Sequence, residues 1–193
     1  MTQNIQPRMF EIRTRKLLIR SYEESDAQAI AIAVKESAPS VNPWLPWCTS
    51  DYTESDAHHW IHLTTEDRNT GSAYEFGVFS SDNKIFFGGV GLNKIDRKDR
   101  VCNMGYWVRE SEQRKGIALE CVEALSGYAF SMLHLRRVEI IVAFGNEASA
   151  GVARKAGAQF EGIARNRLFI HDKSVPAYIF SLVPAQVEKI NIR

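Results

Sequence analysis

Residues 108–118 read VRESEQRKGIA and decide the fold, because they join the end of a predicted strand to the start of a long predicted helix. Two small residues, Gly116 and Ala118, stand at that helix start, and Arg114 and Lys115 precede them. The first amides of a helix have no intrahelical acceptor and carry partial positive charge. A glycine there lets a ligand approach the backbone closely. The stretch therefore predicts a phosphate or pyrophosphate site.

This loop differs from the two common glycine-rich phosphate loops. It lacks the GxxxxGK[ST] spacing of a P-loop and the GxGxxG spacing of a dinucleotide site. A basic helix start with a glycine also occurs without any ligand, so the string by itself leaves a purely structural role open. A nucleotide-binding fold that uses the same helix start for another phosphate is a further alternative.

The first part of the chain, up to Gly71, predicts one strand and two helices. The strand covers Leu17 to Arg20, and a helix starts at residues 25–26. Residues 38–48 contain three prolines, which predict an aromatic-rich loop. The capping-box pattern TESD predicts that a second helix starts at Thr53, and this helix ends near Gly71.

From residue 74 onward the sequence predicts a meander of strands and then a strand–helix–strand unit. Further strands are predicted over residues 74–79, 85–92, 103–108, 138–144, 160–170 and 177–182. The run 138–144 is almost wholly apolar and predicts a strand covered on both faces. One buried stripe is predicted for the helix over residues 116–133, made of Ile117, Val122, Leu125, Ala129 and Met132. A short helix over 148–156 is closed by Gly157. This irregular order predicts a mixed α/β (α+β) domain spanning residues 1–193, and it excludes a fully parallel Rossmann sheet.

Bulk composition narrows the function classes. The chain has 193 residues and a formal charge of +1, so it has no general attraction to nucleic acid or an anionic membrane. Residues 1–9 are polar and show no signal-peptide pattern. Three cysteines without close pairing do not indicate a disulfide framework, and His58 and His62 lack the further ligands of a metal site. We expect a cytoplasmic protein without a bound metal.

Several motifs recur at fixed spacing along nearly the whole chain. They are Pro43 to Trp47 (PWLPW), Gly105 to Val108 (GYWV), Gln113 to Ala118 (QRKGIA), Tyr128 to Phe130 (YAF), Arg137 to Ile140 (RVEI), Asn146 to Ser149 (NEAS) with Val152, and Glu161-Gly162. In this order the chain resembles the GNAT superfamily of acetyltransferases. The resemblance is closest to its Rim-type branch, which includes the ribosomal-protein N-terminal alanine and serine acetyltransferases.

The resemblance implies a GNAT fold with acetyl-CoA as co-substrate. The expected fold is a mostly antiparallel sheet with about four helices, in which the fourth and fifth strands splay apart at a bulge. The pantetheine arm is expected along the fourth strand and the pyrophosphate on the amides that follow it. The implied cofactor-binding residues are Tyr106, Trp107, Val108, Gln113, Arg114, Lys115, Gly116, Ile117, Ala118, Asn146 and Ser149.

Catalytic roles follow from the resemblance in the same way. A backbone amide near Val108 is expected to polarise the thioester carbonyl. Ser149 is expected to protonate the leaving thiolate, because Ala153 stands where many family members have a tyrosine. Asn146 is expected to hold the pantetheine or a nearby water. A helix-capping role for the Ser149 hydroxyl is the alternative.

The general base remains open at this stage. Leu168 stands near the position of a glutamate that some relatives carry, and leucine cannot accept a proton. Chemistry alone offers the candidates Glu75, His58, His59, His62 and Glu112, and a water chain to bulk solvent is a further option. The proline-rich loop places Trp44, Leu45 and Trp47 beside the expected acceptor pocket, with ordinary core packing as the alternative.

The predicted function is direct acetyl transfer from acetyl-CoA to a primary amine. The acceptor is the N-terminus of a ribosomal or other protein, or a small amine, and the enzyme acts as a monomer or a homodimer. No nucleic-acid or membrane partner is expected. The alternative is a non-catalytic acyl-CoA-binding or regulatory module, which would bind acetyl-CoA without turnover.

Overall fold

One eight-stranded sheet organises residues 11–184, the part of the chain that the computed structural model describes. The strands are β1 (Glu11–Arg13), β2 (Leu17–Arg20), β3 (Tyr74–Ser80), β4 (Phe86–Asp96), β5 (Val101–Val108), β6 (Arg137–Ala143), β7 (Gln159–Ile170) and β8 (Lys173–Leu182). The α-helices are α1 (Ala27–Val41), α2 (Glu54–Thr70), α3 (Ile117–Ser131) and α4 (Glu147–Lys155). Short 3-10 turns precede α1 at Glu24–Asp26 and follow β5 at Glu110–Glu112.

The sheet is antiparallel except where it splits. Its strand order is β1-β2-β3-β4-β5-β6-β8-β7, and the β5–β6 pair is parallel. That pairing runs only from Val101↔Arg137 to Asn103↔Glu139, so residues 104–108 have no partner on the β6 side. The predicted mixed fold with a mostly antiparallel sheet, four helices and a splayed strand pair is confirmed. The splayed strands are the fifth and sixth here, because β1 forms a separate short strand.

The predicted bulge is present, but it lies in β4 and not in the splayed strand. The β4–β5 register shifts between Asn93 and Asp96, where Lys94 has a φ of 50°. Two residues of β4 thereby face one residue of β5, which increases the local twist of the sheet. From Asn93↔Asn103 to Gly88↔Val108 the pairing is continuous. β5 therefore reaches the opening as a regular strand.

Alternating side chains give the sheet two apolar faces. Leu17 and Ile19 belong to the core that includes α3 and α4, whereas Leu18 between them belongs to the core of α1 and α2. This period of two is the expected pattern for a strand covered by helices on both sides. The helix pairs therefore lie on opposite faces of the sheet, with the opening between β5 and β6 accessible from both.

Helix α1 extends further than the sequence predicts. The loop was expected from residue 38, but the helix continues through Pro39 to Val41. Pro39 stands in the last turn, so it removes a single hydrogen bond, to the carbonyl of the exposed Lys35, and its fixed φ suits a helix. The aromatic-rich loop consequently starts at Asn42 and is held directly by the end of α1.

Helix α2 matches its predicted ends. The Thr53 side chain accepts a hydrogen bond from the Asp56 N–H, and the Asp56 side chain accepts one from the Thr53 N–H. Gly71 ends the helix in the left-handed conformation, with a φ of 71°. Both signals act through local hydrogen bonds and backbone sterics, which explains why the sequence predicts them so well.

Helix α3 is shorter than predicted, and one member of its stripe was wrong. The helix ends at Ser131, and Met132 is 66% exposed because it follows the last helical turn. Cys121 takes the buried place on the stripe instead, with 2% of its surface exposed. It lies four residues after Ile117 and four before Leu125, which is the helical spacing.

The prediction that β6 is covered on both faces was also wrong. Val138, Ile140 and Val142 are buried, whereas Arg137, Glu139 and Ile141 between them are half-buried. Helices α3 and α4 cover the first set only. Phe144, predicted as the last strand residue, lies just beyond β6 and is 49% exposed. The other face of β6 is thus a partly open surface beside the splayed opening.

The remaining predicted strands are present with shifted ends. β4 continues past the predicted end to Asp96, β5 begins two residues early at Val101, and β8 begins four residues early at Lys173. The short helix α4 is confirmed, and Gly157 follows it with a φ of 80°. In the described residues no helix has the length and hydropathy needed to cross a membrane. The polar stretch 1–9 lies outside the described residues.

Candidate active site

The open edge of β5 offers backbone groups to a ligand. The Arg109 N–H donates to the Phe87 carbonyl at 2.8 Å, so that pair of residues is hydrogen bonded across the β4–β5 ladder. Hydrogen-bonded and non-bonded positions alternate along an antiparallel pair. The N–H and C=O of Val108, and those of Tyr106, therefore point away from β4 into the opening.

Trp107 faces away from the opening. The same alternation directs its backbone groups toward Gly89 on β4. Its side chain lies on the α1–α2 face, where its ring packs edge-on against Trp47 at 5.6 Å between centroids. The structure thus places Trp107 on the side opposite α4.

Gln113 closes part of the open edge. Its Nε2 donates to the Val108 carbonyl at 3.1 Å and to the Ser40 hydroxyl at 3.2 Å. Its backbone N–H, predicted to face the pyrophosphate, instead donates to the Glu110 carbonyl at 3.2 Å. The Val108 carbonyl is therefore satisfied within the protein, while the Val108 N–H remains directed into the opening.

The free amides begin one residue later. Within the described part of the chain, the N–H groups of residues 114–119 donate to no acceptor. Arg114 and Gly116 have φ values of 62° and 85°, so the loop turns back sharply before α3. No atom lies within 4 Å of where a Cβ on Gly116 would stand. The result is an open nest of amide donors at a helix N-terminus, which fits a pyrophosphate.

The predicted basic and apolar residues of this loop play different parts. Arg114 and Lys115 are exposed, and Lys115 Nζ lies 3.0 Å from Glu112 Oε2. Ile117 is buried in the α3 core and anchors the first turn. Ala118 has a small side chain, so it adds little bulk to the surface of that turn. The charged side chains of the loop are thus solvated, whereas its amides are held by the backbone.

Asn146 and Ser149 form the start of α4. Asn146 is the N-cap, and its Oδ1 accepts a hydrogen bond from the Ser149 N–H at 3.1 Å. The capping group is therefore Asn146, and the Ser149 hydroxyl is available for another contact. It donates to the Tyr106 hydroxyl at 3.0 Å, across the opening between β5 and α4.

The Tyr106–Ser149 contact is reciprocal. The Tyr106 hydroxyl donates to the Ser149 carbonyl at 3.0 Å while it accepts from the Ser149 hydroxyl. Burial raises the pKa of Tyr106 to about 12, so its phenol stays protonated near neutral pH. Tyr106 was predicted only for cofactor binding. Its pairing with Ser149 was missed, because 43 residues separate the two and no local signal relates them.

Of the three predicted pocket residues, Trp44 and Trp47 lie beside the opening. A Cβ on Gly145, just after β6, would lie 3.9 Å from the Trp44 ring, so Trp44 reaches from the loop after α1 to the far side of the opening. Trp47 packs edge-on against Trp107 and Tyr52. Leu45 instead packs against the α1–α2 core. The two tryptophans thus line the opening, and Leu45 supports the loop from below.

The β7–β8 hairpin completes this side. The ring of His171, at the hairpin tip, lies 2.9 Å from the Asn42 carbonyl at the start of the loop. The β7–β8 register breaks between Ala164 and Leu168, and Arg165, Asn166 and Pro176 line a cavity of about 600 Å³ there. Leu168 itself is half-buried in β7.

Most of the base candidates lie away from the opening. His58 Nδ1 contacts Glu24 Oε2 at 2.6 Å and His62 Nε2 contacts Glu24 Oε1 at 3.4 Å, on the outer surface of α2. His59 is exposed on the same helix, and Glu112 pairs with Lys115. Glu75 differs from them because it lies on β3, within the sheet, on the α1–α2 face.

Helix α1 is tied to the segment that carries the amide nest. Arg109 Nε donates to Glu36 Oε2 at 2.6 Å, and the Ser111 N–H donates to Glu36 Oε1 at 2.9 Å. The Glu110 N–H donates to the Ser37 hydroxyl at 3.0 Å. Because α1 continues directly into the loop of Trp44 and Trp47, one helix positions both sides of the opening.

Comparison with known proteins identifies the family. Residues 16–159 match the family described as "Acetyltransferase (GNAT) domain". The chain is 26% identical over 161 residues to the "[Ribosomal protein uS5]-alanine N-acetyltransferase" of Escherichia coli (strain K12), covering 81% of this chain and 82% of that one. It is 28% identical over 128 residues to the "Ribosomal-protein-serine acetyltransferase" of the same strain, covering 66% and 70%.

A solved structure agrees with the fold. The ribosomal-protein-S5-alanine acetyltransferase from Vibrio fischeri superposes with a TM-score of 0.81, covering 90% of this chain and 96% of that chain, at 23% identity. A shared fold at this identity describes architecture and not substrate.

Proposed function

The chain belongs to the GNAT acetyltransferase family, and from this premise we propose that it acetylates the N-terminal amine of a protein. As an N-acetyltransferase of this family it uses acetyl-CoA as co-substrate. The observation that carries the proposal is the continuous opening from the amide nest of residues 114–119, along the free edge of β5, to Ser149.

The proposed cofactor site is built mainly from backbone. The amides of residues 114–119 hold the pyrophosphate, and the free edge of β5 at Tyr106 and Val108 receives the pantetheine amides. Gln113 keeps the Val108 carbonyl occupied, so at Val108 the edge presents a donor to the thioester and not an acceptor that would repel its carbonyl oxygen. Asn146 fixes α4 beside the opening.

The proposed chemistry is direct transfer within a ternary complex. The outward N–H of Val108 polarises the thioester carbonyl, and the outward N–H of Tyr106 is a second donor along the same edge. Ser149 donates a proton to the departing sulfur. Tyr106 supports it, because its protonated hydroxyl lies 3.0 Å from the Ser149 hydroxyl and reaches both oxygens of that residue. The family's tyrosine acid is absent at Ala153, which is buried.

The proposed acceptor is a protein N-terminus that enters under Trp44 and Trp47. Two relatives are named for the alanine or serine N-termini of ribosomal proteins. The aromatic wall suits an extended chain end with a small first side chain, since aromatic side chains provide large contact areas with little loss of conformational entropy. A ribosomal protein is the acceptor that these relatives favour.

The test is thiol release from acetyl-CoA with a panel of peptides that differ in their first residue, and with polyamines as the small-amine alternative. We expect release with peptides that begin with alanine or serine, and a mass increase of one acetyl group at the N-terminus. Thiol release with polyamines and not with peptides would identify small amines as the acceptors. Acetyl-CoA binding without release by any amine would contradict the proposal and favour a binding module.

A further inference from the structure

A carboxylate lies across the sheet on the acceptor side of the opening. Glu75 on β3 faces Gly91 on β4, and Gly91 faces Gly105 on β5. A Cβ on Gly91 would stand 1.7 Å from Glu75 Oε2, so the side chain lies flat over Gly91 and extends toward β5. Glycine at this position is what allows the carboxylate to lie there.

The neighbouring position on β5 is open. A Cβ on Gly105 would meet no described atom within 4 Å, although the strand itself lies inside the sheet. Asn103 and Trp107 stand two residues to either side on the same face, as strand alternation requires. The β5–β6 pairing ends at Asn103, so the cleft over Gly105 continues into the splayed opening.

Only one oxygen of Glu75 has a partner in the described part of the chain. Oε1 accepts a hydrogen bond from Asn93 Nδ2 at 3.1 Å, and Asn93 Oδ1 accepts one from Asn103 Nδ2 at 2.9 Å. Oε2 accepts no hydrogen bond there, and no lysine, arginine or histidine forms an ion pair with this carboxylate. A half-buried carboxylate without a cation loses part of its hydration uncompensated, and a cationic ligand would compensate it.

The surroundings keep this carboxylate weakly acidic. Burial raises the pKa of Glu75, the negative charge of Asp67 on α2 raises it further, and the hydrogen bond from Asn93 opposes both. The Tyr22 hydroxyl also lies nearby, and it stays neutral because burial raises its pKa strongly. A general base benefits from such a shift, because a more basic carboxylate takes a proton more readily.

We propose that Glu75 holds the ammonium of the acceptor in the cleft over Gly105 and acts as the general base of the reaction. This inference rests on the proposed function and adds its missing base. Glu75 Oε2 takes one proton from the ammonium, and the freed lone pair forms the C–N bond to the acetyl carbon. The C–S bond breaks, the sulfur keeps its electron pair and takes a proton from Ser149, and the acylated nitrogen gives its remaining extra proton back to Ser149 through water.

The cleft also sets the acceptor class. Glu75 and Asp67 make this end of the opening negative, and glycines leave room for an ammonium and a small first substituent. A primary ammonium on an alanine- or serine-like residue fits this environment. An acidic first residue would bring a second negative charge toward Glu75 and is disfavoured.

The first test is Glu75→Gln, with Glu66→Gln on the exposed side of α2 as the matched control. We expect acetyl-CoA binding, measured by isothermal titration, within about twofold of wild type, since Glu75 is on the acceptor side. kcat/KM for an alanine peptide should fall about 10²-fold, the usual contribution of a general base. The fall of wild-type kcat/KM at low pH, as Glu75 becomes protonated, should disappear in this variant, and the control should keep it.

The second test fills the cleft without touching a charge. Gly105→Ala should raise the KM for the peptide about tenfold and leave acetyl-CoA affinity unchanged. Glu75→Gln should also narrow the difference in kcat/KM between peptides that begin with alanine and with glutamate. The inference would be overturned if Glu75→Gln kept the wild-type kcat/KM and pH profile, or if Gly105→Ala left the KM for the peptide unchanged. In either case, turnover by the wild-type enzyme would still support the proposed function. If wild type itself releases no thiol with any amine, it is the proposed function that fails.

Discussion

The two sides of the opening are built from different materials. On the cofactor side, residues 114–119 and the edge of β5 present backbone amides, which are fixed by the fold whatever side chains they carry. On the acceptor side, Trp44, Trp47 and Glu75 present side chains from a loop and a distant strand. The cofactor side should therefore tolerate side-chain changes and respond to backbone changes, and the acceptor side should do the reverse.

The largest expected effect lies where the two sides meet. Ser149→Ala removes the hydroxyl that contacts Tyr106 and is proposed to protonate the thiolate, so kcat should fall about 10²-fold with unchanged acetyl-CoA affinity. The measurement is thiol release at saturating peptide. Ser131→Ala is the control, because that hydroxyl only caps the Gly127 carbonyl at the end of α3. A fall in kcat below threefold would assign the Ser149 hydroxyl a structural role.

On the acceptor side, truncation of one ring should raise the KM for the peptide without changing the affinity for acetyl-CoA. Trp44→Ala removes the ring that spans the opening to Gly145, and the KM for the peptide should rise about tenfold, equivalent to about 1.4 kcal/mol of lost contact. Acetyl-CoA affinity should stay within about twofold. Leu63→Ala, an exposed residue on α2, provides the matched control. Equal losses for both substrates would show that the two sides are not separable.

On the cofactor side, a single added methyl group should weaken acetyl-CoA binding if it strains the backbone. Gly116 has a φ of 85°, where an alanine costs about 1–2 kcal/mol, so Gly116→Ala should weaken acetyl-CoA binding about tenfold. Gly127→Ala adds the same methyl group within α3, where no atom lies within 4 Å. It should leave binding unchanged and stabilise the protein by about 1 kcal/mol. Similar binding in both variants would contradict a role for the Gly116 backbone.

The helix starts on the cofactor side could be predicted from the sequence, because their signals are local. The QRKGIA string, the capping box at Thr53 and the motif asparagine each act within a few residues of chain. Even there, the hydrogen bond from the Gln113 amide to the Glu110 carbonyl could not be predicted, since it depends on the 3-10 turn that precedes Gln113. The orientation of Trp107 could not be predicted, because a motif does not show which way each residue of a strand faces.

The acceptor side could be predicted only as a set of residue types. Glu75 was one base candidate among several, and nothing near it in the sequence reports that Gly91 lies beneath it. The Tyr106–Ser149 pair and the contact of Trp44 with Gly145 also join residues that are far apart in the chain. Such contacts depend on strand register and splay, and local patterns do not fix these.

The smallest expected effect tests the link between the two sides through α1. Hydrogen bonds from Arg109, and then from Ser111, lower the pKa of Glu36 to about 2. A carboxylate whose pKa is lower in the folded state stabilises the protein above its unfolded pKa, and this contribution is lost as the pH falls toward 2. We therefore expect Glu36→Gln to lower the free energy of unfolding more at pH 7 than at pH 3, as measured by urea denaturation. The exposed Glu66→Gln should give the same change at both pH values.

Because α1 also carries the Trp44 loop, Glu36→Gln should weaken the binding of acetyl-CoA and of the peptide together, by a few-fold each. It is the one substitution in this set that should affect both sides of the opening. An effect on acetyl-CoA alone would mean that α1 anchors the amide nest without coupling it to the acceptor side.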